Sequence, residues 1–301
     1  MGVFCVEALS KTFHTPEGPV PALKAVSAQL PAGQIVGLLG PNGSGKTTFL
    51  RIATGILPPD EGQLLWEGRP LTRELQRRFG YMPEERGLYP RMPAEEQLRY
   101  LLRLRGLSKA AAQQTIHHWA DRIGAPWLHR PARTLSKGMQ QKVQLILALA
   151  GDPLALLLDE PFSGLDPLVA SEIEELLRQE ALTGRLVLLS THRLEQVDHL
   201  CDYVLLIHQG KVCLEGPVGD LRRRFWDLRY EIETATPVAE LSWPAEVTVT
   251  PLTPYRAHLI LPPTYSARHL LERLLPQTEV RSFAERLPTM REIFLKVTGQ
   301  A

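Results

Sequence analysis

Cysteine is scarce and scattered: Cys5, Cys201 and Cys213 are the three in 301 residues, and each stands in an apolar stretch. Such spacing builds neither a disulfide framework nor a thiolate zinc site, and it fits a reducing compartment. Neither sign of charge dominates. Lys plus Arg number 34 against 33 for Asp plus Glu, so no broad field draws nucleic acid or anionic lipid, and any such contact must be local. Long hydrophobic runs are missing too: none approaches the roughly 18 apolar residues needed to span a bilayer. The opening stretch, Met1 to Leu9, lacks the charged start and apolar run of a secretion signal. The expectation is a protein neither secreted nor integral to a membrane. Internal repeats and low-complexity segments are absent as well.

What is there is a globular composition, 44% hydrophobic and 22% charged, close to the average for folded chains. The length exceeds what one core usually supports, so a principal domain with an appendage is expected. Val3 to Leu9 and Ala25 to Leu30 read as short strands of a β-layer, with Leu64 to Glu67 a further strand. Ile35 to Leu39 is an apolar strand that runs into a glycine-studded turn and then a helix from about Lys46 to Thr54. After Phe79 to Met82, helical spacing over Ala94 to Arg105, Lys109 to Ile123 and Met139 to Ala150 marks a helical insert over about 84–150. The apolar runs Leu154 to Leu158 and Leu186 to Leu189 flank a helix at Leu168 to Glu180, an alternation that argues for a parallel sheet covered by helices. Val204 to Ile207 and Lys211 to Leu214 form a hairpin through Gln209 and Gly210. Beyond Phe225 come shorter strands, Arg229 to Glu233, Glu246 to Thr250 and Arg256 to Leu261, and a helix at Ser266 to Leu275. The division expected is 1–221 for the main α/β domain and 222–301 for a small α+β domain.

Gly40-Pro41-Asn42-Gly43-Ser44-Gly45-Lys46-Thr47 matches the phosphate-loop pattern in the required setting of strand before and helix after. Glycines let the backbone curl so that its N–H groups and the helix N-terminus cradle phosphate oxygens. Lys46 adds a charge and Thr47 a hydroxyl for magnesium. Asp159 and Glu160 close the apolar strand 154–158, which places both carboxylates at the sheet end where open α/β folds bind ligands. Asp159 suits magnesium, and Glu160 suits orienting and deprotonating the water that attacks a γ-phosphate.

Between these two motifs stands Leu135-Ser136-Lys137-Gly138-Met139. After them follow Pro161, the Ser163-Gly164-Leu165-Asp166 loop and Ser190-Thr191-His192. In that order the set resembles the ABC-type ATPase family over about the first 220 residues. The resemblance implies a P-loop NTPase cassette with a parallel core sheet, an antiparallel β subdomain and a helical subdomain, binding ATP and Mg2+. It further implies that Gly40 through Thr48 hold the nucleotide, and that Phe13 stacks on adenine, with a packed core position as the alternative for Phe13. Two cassettes would pair head to tail, with Ser136 and Gly138 meeting the partner's γ-phosphate, Asp166 among the nucleotide-binding residues, and His192 meeting the γ-phosphate within one chain. Glu160, His192 and Lys46 are then the catalytic set, with Thr47, Glu84 and Asp159 around the metal.

Three positions depart from the family pattern: Lys137 for a glycine, Met139 for a glutamine, and Glu84 for the glutamine that relays nucleotide state. A carboxylate at Glu84 can coordinate magnesium but cannot donate as an amide does. His117, His118 and His129 lie in the helical insert without a cysteine or close acid to complete a metal set. The phrase Pro83 to Pro90, with Leu-Ser-Lys-Gly-Met, is similar to a subgroup serving sodium- and drug-efflux permeases. The expected partners are therefore a second copy of the chain or a paralogous cassette and a membrane permease met at Glu85 to Arg105, with no nucleic acid, at the cytoplasmic face of the cell membrane. The alternatives are a soluble ABC ATPase acting on nucleic acid or ribosomes, and a nucleotide-binding regulator that barely hydrolyses.

Overall fold

A computed structural model describes residues 3–85 and 87–299. Residues up to Val218 form one compact unit and those from Gly219 onward a second. The first begins with two long antiparallel strands, β1 (Val3–Thr15) and β2 (Gly18–Pro31). Both outrun the apolar stretches that announced them, because bulges bend the pair: Ala8 and Ala25 take positive φ angles of 46° and 50°, and the register shifts around Leu9 and Lys11. Strand β3 (Ile35–Leu39) leads through the glycine turn to helix α1 (Lys46–Ala53). Strands β4 (Glu61–Trp66) and β5 (Arg69–Pro70) complete the first sheet in the order β2-β1-β4-β5.

A short helix, α2 (Arg73–Arg77), precedes β6 (Phe79–Met82). The insert follows as α3 (Ala94–Leu104), α4 (Lys109–Arg122) and α5 (Lys137–Leu149). The chain then alternates: β7 (Ala155–Asp159), α6 (Pro167–Leu182), β8 (Leu186–Thr191), α7 (Leu194–Leu200), and the hairpin β9 (Tyr203–His208) with β10 (Lys211–Pro217). Gln209 and Gly210 at its tip have φ of 51° and 79°, the doubly left-handed turn that matches strand twist. The second sheet runs β10-β9-β3-β8-β7-β6, parallel except for β10. All residues of β3, β7 and β8 are buried, as expected of a parallel sheet covered on both faces. One core joins the two sheets, with Phe4, Trp66 and Phe79 meeting ring to ring at 5.3–6.3 Å.

The helical insert is fastened to this core by charge and by close packing. Glu180 of α6, 2% exposed, accepts from Arg122 of α4 at 2.7 Å and from Arg185 at 2.8 Å. A carboxylate buried this deeply persists only when its charge is matched. Helix α5 presses on β6 at Gly80, where an added Cβ would lie 2.0 Å from the carbonyl oxygen of Ala148. No described helix is long and apolar enough to cross a membrane.

In the second unit, after α8 (Val218–Arg224), strands β11 (Arg229–Thr234), β12 (Thr248–Thr253) and β13 (Arg256–Ile260) carry helix α9 (Ala267–Leu274), and the chain continues as β14 (Val280–Glu285) and α10 (Met290–Thr298). The antiparallel order is β12-β13-β11-β14, with Ile232, Ala257, Leu259, Leu270 and Leu274 at the core. Strand β12 starts two residues later than its composition suggested, and β14 and α10 carried no sequence expectation. Helix α10 opens on a reciprocal cap: Thr289 Oγ1 accepts from Glu292 N, and the Glu292 carboxylate accepts from Thr289 N.

Because a Cβ at Gly80 collides with backbone rather than with a movable side chain, Gly80→Ala should destabilise the first unit by about 1–3 kcal/mol or more. A lower urea midpoint at unchanged m-value is the expected readout, and an unshifted midpoint would refute the close approach of α5.

Candidate functional site

Strand β3 lies between β8 and β9, so the loop after it emerges at the carboxyl ends of its neighbours. Two glycines there are obligatory. A Cβ on Gly40 (φ 149°) would lie 2.1 Å from the Ile207 carbonyl and 2.5 Å from Ser44 Oγ; one on Gly45 (φ 112°) would lie 2.4 Å from the Ala22 carbonyl. Gly43 (φ 76°) faces open space and is held to glycine by its dihedral alone. Lys46, 7% exposed, folds back and donates to the carbonyls of Gly40 at 2.8 Å and Pro41 at 3.1 Å. Burial lowers its pKa, and the carboxylates of Glu160, Asp159 and Glu84 oppose that shift. Ser44 Oγ is buried without a hydrogen-bond partner among the described residues.

The loop forms one wall of a cleft of about 410 Å³. Asn42, Gly43, Gly45, Lys46, Thr47 and Thr48 line it with Ala22, and Glu84, Asp159 and Glu160 face them. Nine of the positions singled out in the sequence are thus brought together, and Gly40, Pro41 and Ser44 stand in the same loop. The cleft is polar and carries both signs of charge, a lysine against three acids.

Register explains how the acids arrive. β7 and β8 run parallel with Asp159 opposite Ser190. Ser190 Oγ donates to Asp159 Oδ1 at 2.5 Å and accepts from the Glu160 N–H at 2.9 Å. Asp159 is 1% exposed, and its Oδ2 has no partner among the described residues. Glu160 takes φ 49°, a left-handed conformation that side chains with a Cβ rarely adopt and that clusters at functional sites. One oxygen of its carboxylate lies 2.7 Å from Nδ1 of His192, whose side chain is 45% exposed.

Ser136, Gly138, Asp166 and Phe13 do not line the cleft. Ser136 caps α5, accepting from Met139 N at 3.2 Å, and Asp166 caps α6, accepting from Val169 N at 3.1 Å. The two helix starts touch: a Cβ on Gly138 would lie 3.1 Å from Val169, and the aliphatic stem of Lys137 passes over Gly164. Ser136, Lys137 and Asp166 are exposed. Phe13, on β1 opposite Val20, is 38% exposed, which removes the packed-core reading. Arg86, within the stretch from Pro83 to Pro90, lies outside the described residues.

Two further residues escaped the sequence reading. Gln141 and Gln144, both buried on α5, donate to the carbonyls of Pro161 at 2.8 Å and Glu85 at 3.2 Å. They tie the helix to the residue after Glu160 and to the one after Glu84. Their only signal is glutamine on an otherwise apolar helix face, where a buried amide needs a partner.

Known proteins resemble this chain in sequence and in fold. The ABC transporter family model matches residues 23–163, and a model of the C-terminal domain of DrrA1-3-like ATP-binding proteins matches residues 216–298. The ABC transporter ATP-binding protein YhaQ of Bacillus subtilis is 38% identical over 221 residues, 73% of each chain. NatA of the same organism, an ABC transporter ATP-binding protein, is 36% identical over 228 residues, 73% of this chain and 93% of that one. The solved dimeric structure of MJ0796, a bacterial ABC transporter cassette, superposes with a TM-score of 0.64 at 25% identity, covering 71% of this chain and 98% of that one. Phosphate loop, paired acids, fold and relatives converge: the chain belongs to the ABC transporter ATP-binding proteins and is an ATPase of that family.

Proposed function

We propose that the protein binds and hydrolyses ATP to drive a separately encoded membrane permease, working as an exporter, and that two cassettes close on two nucleotides. The observation that carries this reading is the division of labour on the surface of the first unit. The cleft gathers Lys46, Thr47, Asp159 and Glu160, while the exposed start of α5 at Ser136 lies outside it. A helix N-terminus is a ready anion partner, and a second copy can present it to the nucleotide of the first.

In this reading the N–H groups from Asn42 to Thr48 and the ammonium of Lys46 take the phosphate oxygens. The donor set fits magnesium: hard oxygens from Thr47, Glu84 and Asp159, with Asp159 Oδ2 buried and otherwise unmatched. Bound there, the ion supplies charge neutralisation at the phosphates. Glu160 receives the proton of the attacking water. Nδ1 of His192 lies 2.7 Å from the Glu160 carboxylate, and the other ring nitrogen, when it carries a proton, can donate to the γ-phosphate. Phe13 offers an exposed ring to adenine, and Asp166, exposed at the start of α6, belongs to the nucleotide-binding set. Cleavage removes the γ-phosphate contacts that hold two cassettes closed, and the opening moves the permease.

Exposed Tyr89, Tyr100 and Leu104 on and before α3 support a permease contact within 85–105, at the cytoplasmic face of the membrane. The family resemblance of residues 83–90 and the DrrA1-3-like match of the second unit favour export. We assign residues 1–221 to the cassette and 222–301 to an accessory domain of that exporter type.

Replacing the base while keeping its shape, Glu160→Gln should lower phosphate release by about 10²–10⁴-fold and accumulate a nucleotide-bound dimer on size-exclusion chromatography; equal turnover in variant and parent sinks the assignment. Lys46→Ala should weaken nucleotide binding roughly ten- to hundredfold, read by equilibrium titration with ADP. Tagged Glu160→Gln protein, extracted from native membranes with MgATP in mild detergent, should bring down a polytopic permease in mass spectrometry. Ribosomal proteins or nucleic acid in its place would favour the soluble alternative.

A further inference from the structure

Strand β8 ends in Ser190-Thr191-His192, and no step above uses the serine. Ser190 is fully buried, so bulk solvent does not reach its hydroxyl. A hydroxyl owns one proton and two lone pairs. Here the proton goes to Asp159 Oδ1 at 2.5 Å, and a lone pair takes the Glu160 N–H at 2.9 Å. One oxygen atom therefore touches both acids of the cleft, from the neighbouring strand.

Each contact has its own consequence. Pinning Oδ1 fixes the plane of the Asp159 carboxylate and leaves Oδ2 as its buried, unmatched oxygen. Accepting from the Glu160 amide gives a buried N–H its partner at a residue whose φ of 49° is unfavourable for a side chain with a Cβ. Remove the hydroxyl and both losses fall together: the Asp159 carboxylate can rotate, and the turn that aims Glu160 at His192 loses its anchor.

We propose that Ser190 is a positioning residue for both acids, its single hydroxyl directing Asp159 Oδ2 to the metal and Glu160 to the water. This rests on the roles proposed above for Asp159 and Glu160. The shape of the site predicts a coupled defect, in metal binding and turnover at once, with the nucleotide's other contacts untouched.

The test uses the full chain and three substitutions. Ser190→Ala deletes the hydroxyl; Ser190→Cys keeps nearly the same volume with a weak donor and acceptor; Ser190→Thr restores the hydroxyl. Mn2+, a paramagnetic stand-in for Mg2+, is titrated by EPR in the presence of ADP, beside steady-state phosphate release and thermal melts. The Ala and Cys variants should lower kcat by about tenfold or more and raise half-saturating Mn2+ several-fold. Affinity for ADP in EDTA should stay within about twofold, because Lys46 and the loop amides are intact. Thr should recover both properties. A melt that drops while the Mn2+ titration stays at the parent value in Ala and Cys overturns the proposal, since a packing role alone moves only the melt. Should Ala fail to fold, Cys decides by the same titration. A parent protein that releases no phosphate counts against the proposed function, and the Mn2+ titration still decides Ser190.

Discussion

A buried parallel strand can leave its sheet only where its last N–H and C=O groups find new partners, and that constraint organises this molecule. β3, β7 and β8 are buried along their whole length and end in register, Leu39 beside Thr191 and Asp159 beside Ser190. Their exits are therefore neighbours in space. The chain leaves β3 through Gly40, β7 through a left-handed Glu160, and β8 through His192. Exits from a dry sheet bring lysine, two acids and a histidine to one edge. The chemistry is assembled by the geometry of leaving the sheet, and the first turn of α1, with Lys46, Thr47 and Thr48, completes the wall of the cleft.

The cleft was legible in the sequence because its parts are local. A phosphate loop is one short stretch whose glycines answer to dihedral angles and close approaches, and Asp159 with Glu160 announce themselves at the end of an apolar run. What stayed hidden depends on partners far along the chain. Ser190 reads as one serine in a strand until Asp159 stands beside it, and Gln141 and Gln144 read as helix formers until the carbonyls of Pro161 and Glu85 meet them. The long arms of β1 and β2 escaped for a similar reason: bulges at Ala8 and Ala25 interrupt the alternation by which strands are recognised. In the second unit, β14 is built of half-exposed and exposed residues such as Arg281 and Ser282, so no hydrophobic period marks it.

Electrostatics divides the molecule's acids into two kinds. Glu180 is saturated, with Arg122 and Arg185 on its two oxygens, and its work is to hold α4 on α6. Asp159 is equally hidden yet half satisfied. A buried polar oxygen that lacks its full complement costs free energy that a bound partner would relieve. The contrast separates a fastening from a binding site using burial and partner count alone.

The two glutamines of α5 have a mechanical consequence. Three residues apart, they project from the same flank about 4.5 Å from each other along the axis. Each grips a carbonyl of a different loop, one behind Glu160 and one behind Glu84. A helix held at two such points couples them: sliding it lengthwise costs the hydrogen bonds on both loops unless the loops move with it. The tip of this helix at Ser136 is exposed, so one rigid element links that surface to the turn after Glu160 and to the segment after Glu84.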